Sequence, residues 1–233
     1  MKSISYGGKS ICYSLKRSNR KTLAITVEPD MRVLVTAPQL ATEEDIERVL
    51  RKRALWILRQ QRFFAQFLPR TPERQYISGE THLYLGRQYR LRVRQADTPQ
   101  VKLIGGYIYV FTPDAFSPET IKALLYGWYS AHAQDRFRER LQVCMQKVAG
   151  WNIPTPELSI RPMASCWGRC SSSGKLTLNL DIIRAPRACI DYVILHEICH
   201  LRHHNHTREF YKLLALLIPD WRETKLRLEH LLS

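Results

Sequence analysis

The sequence predicts an α+β fold with a β-rich N-terminal part, residues 1–113, and a helical C-terminal part, residues 114–233. Two patterns of apolar residues support this prediction. Apolar and polar residues alternate as in β-strands over much of residues 11–37 and 77–111. After residue 117 the apolar residues recur mainly at helical spacing. A chain of 233 residues is also long enough to bury a hydrophobic core without a metal ion or a disulfide.

The N-terminal part begins with a predicted β-hairpin that is followed by a helix. Residues 22–27 (TLAITV) and 32–37 (RVLVTA) flank the turn sequence Glu28-Pro29-Asp30 and form the strands of this hairpin. Thr42 precedes three acidic residues, which is typical of a helix start. The apolar residues that follow keep helical spacing as far as Pro69, so we expect one long helix there.

Further strands and helices follow along the chain. Residues 77–111 contain four short strand patterns, with Gly105-Gly106 as the turn of a second hairpin. Ser117-Pro118 opens a long helix that ends at Gly150. No internal repeat is apparent. The elements predicted after Gly150 are strands at residues 157–161 and 175–180 and a helix that starts at Pro186.

The chain is strongly basic, with 36 Lys and Arg against 21 Asp and Glu and a net charge of +15. A field of this sign attracts polyanions, so nucleic acid is one expected partner. The helix that follows Thr42 is the best candidate surface, although an ordinary solvated helix face explains its charges equally well. Its basic residues are Arg48, Arg51, Lys52, Arg59 and Arg62.

The sequence also bears on the compartment and on the cysteines. The first twenty residues lack the apolar stretch of a signal peptide, and no segment approaches the ~20 apolar residues of a membrane helix. We therefore expect a cytoplasmic protein with no membrane association, whose six cysteines are thiols. Cys166 and Cys170 are spaced C-x-x-x-C rather than C-x-x-C, which makes a structural metal at this pair a lesser alternative.

The segment from His196 to His206 carries the most specific chemical pattern. His196 and His200 are four residues apart on a predicted helix, so both imidazoles project from one face and can reach one Zn²⁺ at about 2.0–2.1 Å. Glu197 lies beside that ion, where a carboxylate can take a proton from water and pass it to a leaving amine. A structural zinc site needs no such base. The pattern therefore predicts a zinc metallohydrolase with one Zn²⁺ per chain.

A third metal ligand is needed, and three further histidines lie close by. If the helix continued, His203 would share the face of His196 but lie about 10 Å further along the axis, too far for one tetrahedral ion. Asn205 tolerates the left-handed conformation that ends helices, so we expect the chain to turn back there. His206 is then the favoured ligand. His204 is the main alternative, ahead of a distant Asp or Glu.

Several segments together resemble one protein family. WGRCSSSGKLTLNLDIIRAP, IDYVILHEICHLRHHNHTREFY and IPDW, with RSNRKTLAITV, YLGRQYRL and WYSAHAQDRFRERL before them, are similar to the YgjP-like metallopeptidases. These are predicted metal-dependent hydrolases distantly similar to SprT-type zinc proteases, and the resemblance covers nearly the whole chain. It implies a zincin-like catalytic half with zinc held by His196, His200 and His206, and Glu197 as acid and base. It also implies that WGRC packs beside the site and that the strand ending near Asn179 borders the cleft.

The leading interpretation is a zinc peptidase whose protein or peptide substrate pairs through its backbone with the strand at residues 175–180. Tyr192 and Arg169 are candidate donors to the oxyanion, and Asn179 is a candidate substrate contact. Three alternatives stay open. The chain can be a nucleic-acid-associated protein with a mainly structural zinc site, a protease acting on DNA-bound proteins, or a hydrolase of a small amide.

Overall fold

The computed structural model describes residues 2–28, 30–65, 74–164, 166–171 and 174–232. It has the α+β fold that the sequence predicts, and its contacts divide the chain at residue 72 into two compact units. The domain boundary expected at residue 113 lies later than this division, because the strands between residues 81 and 112 share the core of the second unit. Among the described residues no helix is long and apolar enough to cross a membrane.

The first unit consists of a four-stranded sheet and one helix. The strands lie in the order β1-β2-β4-β3, with β2 parallel to β4 and the other pairs antiparallel. The predicted hairpin is confirmed as β3 and β4, and the predicted helix as α1, while Pro29 and Pro69 lie outside the described residues. The elements are β1 (Lys2–Tyr6), β2 (Lys9–Ser18), β3 (Ala24–Val27), β4 (Val33–Pro38) and α1 (Glu43–Ala65).

The second unit begins with another four-stranded sheet and a long helix. The strand order is β5-β6-β8-β7, with β6 parallel to β8 and the other pairs antiparallel. This is the order of the first sheet, again followed by a long helix, although the sequence shows no repeat. The elements are β5 (Thr81–Tyr84), β6 (Arg87–Gln95), β7 (Gln100–Ile104), β8 (Tyr107–Thr112) and α2 (Pro118–Lys147).

The predicted start of α2 is confirmed. The side chain of Ser117 accepts a hydrogen bond from the backbone N–H of Thr120 at 3.2 Å, and Pro118 occupies the first helical turn, where its missing N–H is not needed. One face of α2 is buried in the core of the second unit, together with Leu91, Ile108 and Val110 of the preceding sheet.

A three-stranded sheet and three helices complete the second unit. The strand order is β10-β11-β9, so β11 lies in the middle, parallel to β9 and antiparallel to β10. The predicted strands at residues 157–161 and 175–180 and the helix start at Pro186 are confirmed, whereas β10 was not predicted. The elements are β9 (Glu157–Arg161), β10 (Gly168–Cys170), β11 (Lys175–Asn179), α3 (Arg187–Cys199), α4 (Arg208–Leu217) and α5 (Trp221–Leu232).

The start of α3 is fixed by the turn between β5 and β6. Gly86 has φ +79°, and its N–H donates to the carbonyl of Arg184 at 2.9 Å. A Cβ at this position would lie 2.6 Å from the ring of Pro186, so only glycine allows the turn to approach so closely. The guanidinium of Arg184 in turn donates to the hydroxyl of Tyr126 on α2 at 2.6 Å. The residues directly before α3 are therefore held by both the sheet and α2.

Candidate metal centre

α3 is buried along most of its length, and this burial fixes the direction of its polar side chains. Ile190, Ile194 and Ile198 are fully buried in the core of the second unit. The imidazole of His196 and the carboxyl group of Glu197 line a cleft, although Glu197 itself is only 9% exposed. The apolar residues of the helix therefore hold two chemically active groups at a defined place.

α3 ends at Cys199, and the chain then turns back as expected. The backbone N–H of His200 donates to the carbonyl of Glu197 at 3.2 Å, and that of His203 donates to the carbonyl of Cys199 at 3.0 Å. The expectation that Asn205 takes a left-handed conformation is wrong, because its φ is not positive. Tight turns directly after Cys199 end the helix six residues earlier, so no left-handed residue is needed.

Three histidines converge at the end of α3. One ring nitrogen from each of His196, His200 and His206 lies within 4.8 Å of the other two. The Nε2 atoms of His196 and His206 are 3.0 Å apart. Two nitrogens that bind one tetrahedral Zn²⁺ at 2.0–2.1 Å are separated by about 3.3 Å, so the spacing of His196 and His206 is close to that of two ligands of one ion.

The hydrogen bonds and electrostatics of the histidines also fit a metal ion. The Nδ1 atom of His200 lies 3.1 Å from the carbonyl oxygen of His203; a neutral ring that donates there keeps its Nε2 lone pair for a metal. Burial, with smaller effects of His200 and His206, lowers the pKa of His196 to about 3. Burial also lowers the pKa of His206. Neutral imidazole is the form that binds metals, so these histidines fit a metal ion.

The three imidazoles pack on one buried aromatic side chain of α4. The ring of Phe210 is fully buried, and its centroid lies 4.6 to 5.0 Å from the centroids of the His196, His200 and His206 rings. α4 therefore forms the wall behind the histidines. The sequence indicated that Phe210 is apolar and helical, but its position behind the ligands could not be read from spacing alone.

The carboxyl group of Glu197 is held by β10. Its Oε2 atom accepts a hydrogen bond from the backbone N–H of Cys170 at 3.1 Å. Burial raises the pKa of Glu197 to about 7, against the lowering effects of this N–H and of Arg169. A Cβ at Gly168 would lie 2.8 Å from Cγ of Glu197 and 2.9 Å from Cγ1 of Val193. Glycine at this position therefore allows β10 to approach α3 closely enough to hold the carboxyl group.

The histidines and Glu197 line a cleft of about 750 Å³. His204, the alternative third ligand, lines this cleft but lies outside the group of converging nitrogens. The lining residues are Cys166, Gly168, Arg169, Cys170, Ser171, His196, Glu197, His200, Leu201, His204 and His206.

The comparison with known protein families agrees with this geometry. The family described as YgjP-like, metallopeptidase domain, matches residues 21–231. The chain belongs to the YgjP-like metallopeptidase family. A metal site formed by His196, His200 and His206 is consistent with membership of a metallopeptidase family.

The chain shows limited similarity to two solved archaeal structures. The metallopeptidase zymogen of Pyrococcus abyssi abylysin is 22% identical, with 39% of this chain and 87% of that chain covered and a TM-score of 0.34. The zymogen of Methanocaldococcus jannaschii jannalysin is 19% identical, with 42% and 90% covered and a TM-score of 0.37. No curated protein matches the chain.

The two predicted oxyanion donors, Arg169 and Tyr192, have different surroundings in this YgjP-like site. Arg169, on β10, lines the cleft. Tyr192 is 6% exposed and does not line it; its ring centroid lies 5.7 Å from that of His196, and burial raises its pKa. Arg169 therefore lies at the cleft, and Tyr192 packs against the ring of His196.

The third predicted contact, Asn179, is bonded within the fold. It is 2% exposed, and its Nδ2 donates to the carbonyls of Met163 and Cys166 at 2.8 and 3.1 Å. Its Oδ1 accepts from the N–H groups of Met163 and Asp181 at 3.3 and 3.1 Å. Asn179 thus braces the segment that leads to β10, and its amide is not among the groups that line the cleft.

The strand at residues 175–180 cannot pair with a peptide as expected. It forms β11, which has β10 on one side and β9 on the other, so both of its edges are already hydrogen-bonded. The periodicity of the sequence identified the strand but not its neighbours. β10 is the edge strand of this sheet beside the cleft.

The thiols of the cysteine pair and the basic helix do not belong to the group of converging metal-binding atoms. Cys166 and Cys170 are free thiols, and among the described residues only the three histidines form a group able to hold a metal. On α1, Arg48 pairs with Asp45, and Arg51 lies 3.6 Å from Glu47. Lys52, Arg59 and Arg62 are exposed on the same helix. A polyanion contact there stays a prediction.

Proposed function

We propose that the chain is a zinc-dependent peptidase in which His196, His200 and His206 hold one Zn²⁺ and Glu197 is the general base. The observation that carries this proposal is the convergence of three imidazoles beside a buried carboxyl group on one cleft. Family membership supports amide hydrolysis as the reaction. A protein or peptide is then the substrate.

The donor set favours zinc among the common metals. Three imidazole nitrogens with one open position form a ligand set used by catalytic zinc, whereas Mg²⁺ and Ca²⁺ prefer oxygen ligands. When bound, Zn²⁺ would lower the pKa of a water molecule and polarise the carbonyl that is attacked. One ion per chain accounts for the three histidines.

Glu197 has two oxygens with separate tasks. Oε2 is held by the N–H of Cys170, so the carboxyl group cannot rotate freely. Oε1 is left to take a proton from the attacking water and to deliver it to the nitrogen of the leaving amine. Burial raises the pKa of Glu197 to about 7 in the metal-free site, and a neighbouring Zn²⁺ would lower it, so the group would be a carboxylate that can accept a proton.

Arg169 is the candidate for binding the substrate. It lines the cleft on the strand that holds Glu197, and its guanidinium carries a permanent charge with five N–H donors. We assign it to a carbonyl oxygen of the substrate, where a fixed positive charge also stabilises developing negative charge.

The test is the substitution Glu197→Gln in the zinc-loaded protein. Zinc content, melting temperature and cleavage of casein and of a peptide library are measured for the wild type and the variant. We expect the variant to keep zinc and fold while its cleavage rate falls by about 10²–10⁴-fold, the usual contribution of a general base.

Glu223→Gln is the matched control. Glu223 is an exposed residue of α5, so this substitution removes the same charge outside the cleft. Its cleavage rate should equal that of the wild type. Full activity of Glu197→Gln with zinc bound would contradict the proposal. A zinc-loaded wild type that cleaves nothing would instead favour the structural-zinc alternative.

A further inference from the structure

The second unit has another surface whose composition the metal centre does not explain. In the sheet of β5 to β8, alternate residues such as Leu91, Ile108 and Val110 are fully buried in the core that includes α2. The residues between them lie on the opposite face, which we call the outer sheet face. It consists of Arg90, Arg92 and Arg94 on β6, Gln100, Lys102 and Ile104 on β7, and Tyr107, Tyr109 and Phe111 on β8.

Three aromatic rings follow one another along the middle of this face. The ring centroids of Tyr107 and Tyr109 are 5.9 Å apart, and those of Tyr109 and Phe111 are 6.1 Å apart with nearly parallel planes. All three side chains are partly exposed, and none of them belongs to either hydrophobic core. A solvated sheet face usually carries polar residues, so a row of aromatic rings indicates a binding role.

Positive charges flank the rings on both sides. Arg90, Arg92 and Arg94 pair in register with the three aromatic residues from β6, and Lys102 pairs with Tyr109 from β7. The guanidinium of Arg92 lies 5.0 Å from the ring centroid of Tyr107. None of these four cations forms an ion pair with a described carboxylate.

The outer sheet face also lacks opposing charge. Its remaining positions on β6 and β7 are glutamines and an isoleucine, and β5 contributes Thr81 and Leu83 in register with β6. No Asp or Glu occurs among these strand residues of the face. The charged side chains on the strands of this face are therefore all positive, which a phosphate backbone matches.

We infer that the outer sheet face binds single-stranded nucleic acid. Exposed bases stack on the rings of Tyr107, Tyr109 and Phe111, while Arg and Lys on the neighbouring strands contact phosphates. A duplex keeps its bases paired and stacked within the helix, so it can use the charges but not the rings. An acidic peptide can likewise pair with the charges, but it has no bases to stack on the rings. This binding is independent of the proposed peptidase activity, because no residue of the metal centre takes part.

The first experiment measures binding of labelled single strands by fluorescence anisotropy. The zinc-loaded full chain is titrated with a mixed-sequence 12-nucleotide RNA, the DNA of the same sequence and the matching DNA duplex. We expect single strands to bind at least about 10-fold more tightly than the duplex. Four phosphate contacts give a slope of log affinity against log salt of roughly −3, since each contact on a single strand contributes about −0.7.

Substitutions on the face separate stacking from charge. Tyr109→Ile keeps an apolar β-branched residue in the strand but removes the ring, and we expect affinity to fall by about 5-fold or more. Tyr107→Ile is the second variant if the first one unfolds. Phe116→Ala is the matched control, because Phe116 is 92% exposed but lies outside the sheet. Its affinity should equal that of the wild type, as should that of Glu197→Gln.

Arg92→Ala and Arg138→Ala remove the same charge from the face and from the exposed surface of α2. Only Arg92→Ala should weaken binding. The inference is overturned if single strands do not bind at low salt, if the duplex or a polyglutamate peptide binds equally well, or if the two arginine variants lose affinity equally. Tighter binding of RNA or of DNA supports it in either case and identifies the preferred sugar.

Discussion

At the scale of single residues, Glu197 depends on two neighbours whose side chains play no part in the contact. The main-chain N–H of Cys170 holds one carboxyl oxygen, and the missing Cβ of Gly168 makes room for that contact. The sequence could not reveal either role, because β10 has only three residues and no periodic pattern. Its WGRC segment was expected beside the site only through the family resemblance.

The histidine ligands were more predictable than this support. The i, i+4 spacing of His196 and His200 follows from helix geometry, and the exclusion of His203 follows from axial distance. The place of His206 required a guess about how the helix ends, and the reason given for it, a left-handed Asn205, is wrong. Backbone turns are weakly encoded when most positions of a loop are polar, as they are between His200 and Thr207.

Gly168→Ala should damage both stability and catalysis. The new methyl group would meet Glu197 and Val193 at less than 3 Å, and such overpacking costs about 1–3 kcal/mol. We expect a lower urea midpoint and a cleavage rate reduced at least 10-fold, because β10 must move away from the carboxyl group. Gly150→Ala is the control, since a Cβ there has no neighbour within 4 Å. Equal behaviour of the two variants would contradict the role assigned to Gly168.

At the scale of secondary-structure elements, most strands and helices were predictable because hydrophobic periodicity determines them locally. Their neighbours were not, since the residues of β11 do not indicate that both of its edges are paired. The shared strand order of the two four-stranded sheets was also hidden. Many apolar residues satisfy the same alternation, so two sheets can have one topology with little common sequence.

Gly127 offers a test of α2, the long helix of the second unit. It lies in the interior of α2 on an exposed position, and a Cβ there would meet no atom within 4 Å. Gly127→Ala should raise the free energy of unfolding by about 0.5–1 kcal/mol, because alanine loses less backbone entropy in a helix. Ala131→Gly, at another exposed position of α2, should lower it by a similar amount. Urea unfolding measures the free energy of unfolding of both variants. An unchanged midpoint in the two variants would contradict the prediction.

At the scale of the whole molecule, the proposed Zn²⁺ joins the end of α3 to the loop before α4. An unfolded chain cannot hold that geometry, so the ion stabilises the folded second unit. At a free concentration 1,000 times the dissociation constant, such binding contributes about 4 kcal/mol. Among the described residues, the three histidines of this site all belong to the second unit.

Calorimetry with and without a chelator should therefore show one zinc-dependent transition. We expect removal of zinc to lower that melting temperature by on the order of 10 °C, given about 2–4 °C per kcal/mol for a domain of this size. His206→Ala should melt at nearly the same temperature in both conditions. If the chelator leaves the wild-type scan unchanged, the three histidines do not hold a metal under those conditions.

The hydrogen bond from β10 to Glu197 has a consequence for how the family can change over time. Its donor is the main chain, and every amino acid except proline supplies that N–H. Position 170 can therefore drift through many residue types without losing the contact, whereas Glu197 and the three histidines cannot. A comparison of relatives that searches for invariant side chains would pass over this position, and an absence of proline there would be its only trace.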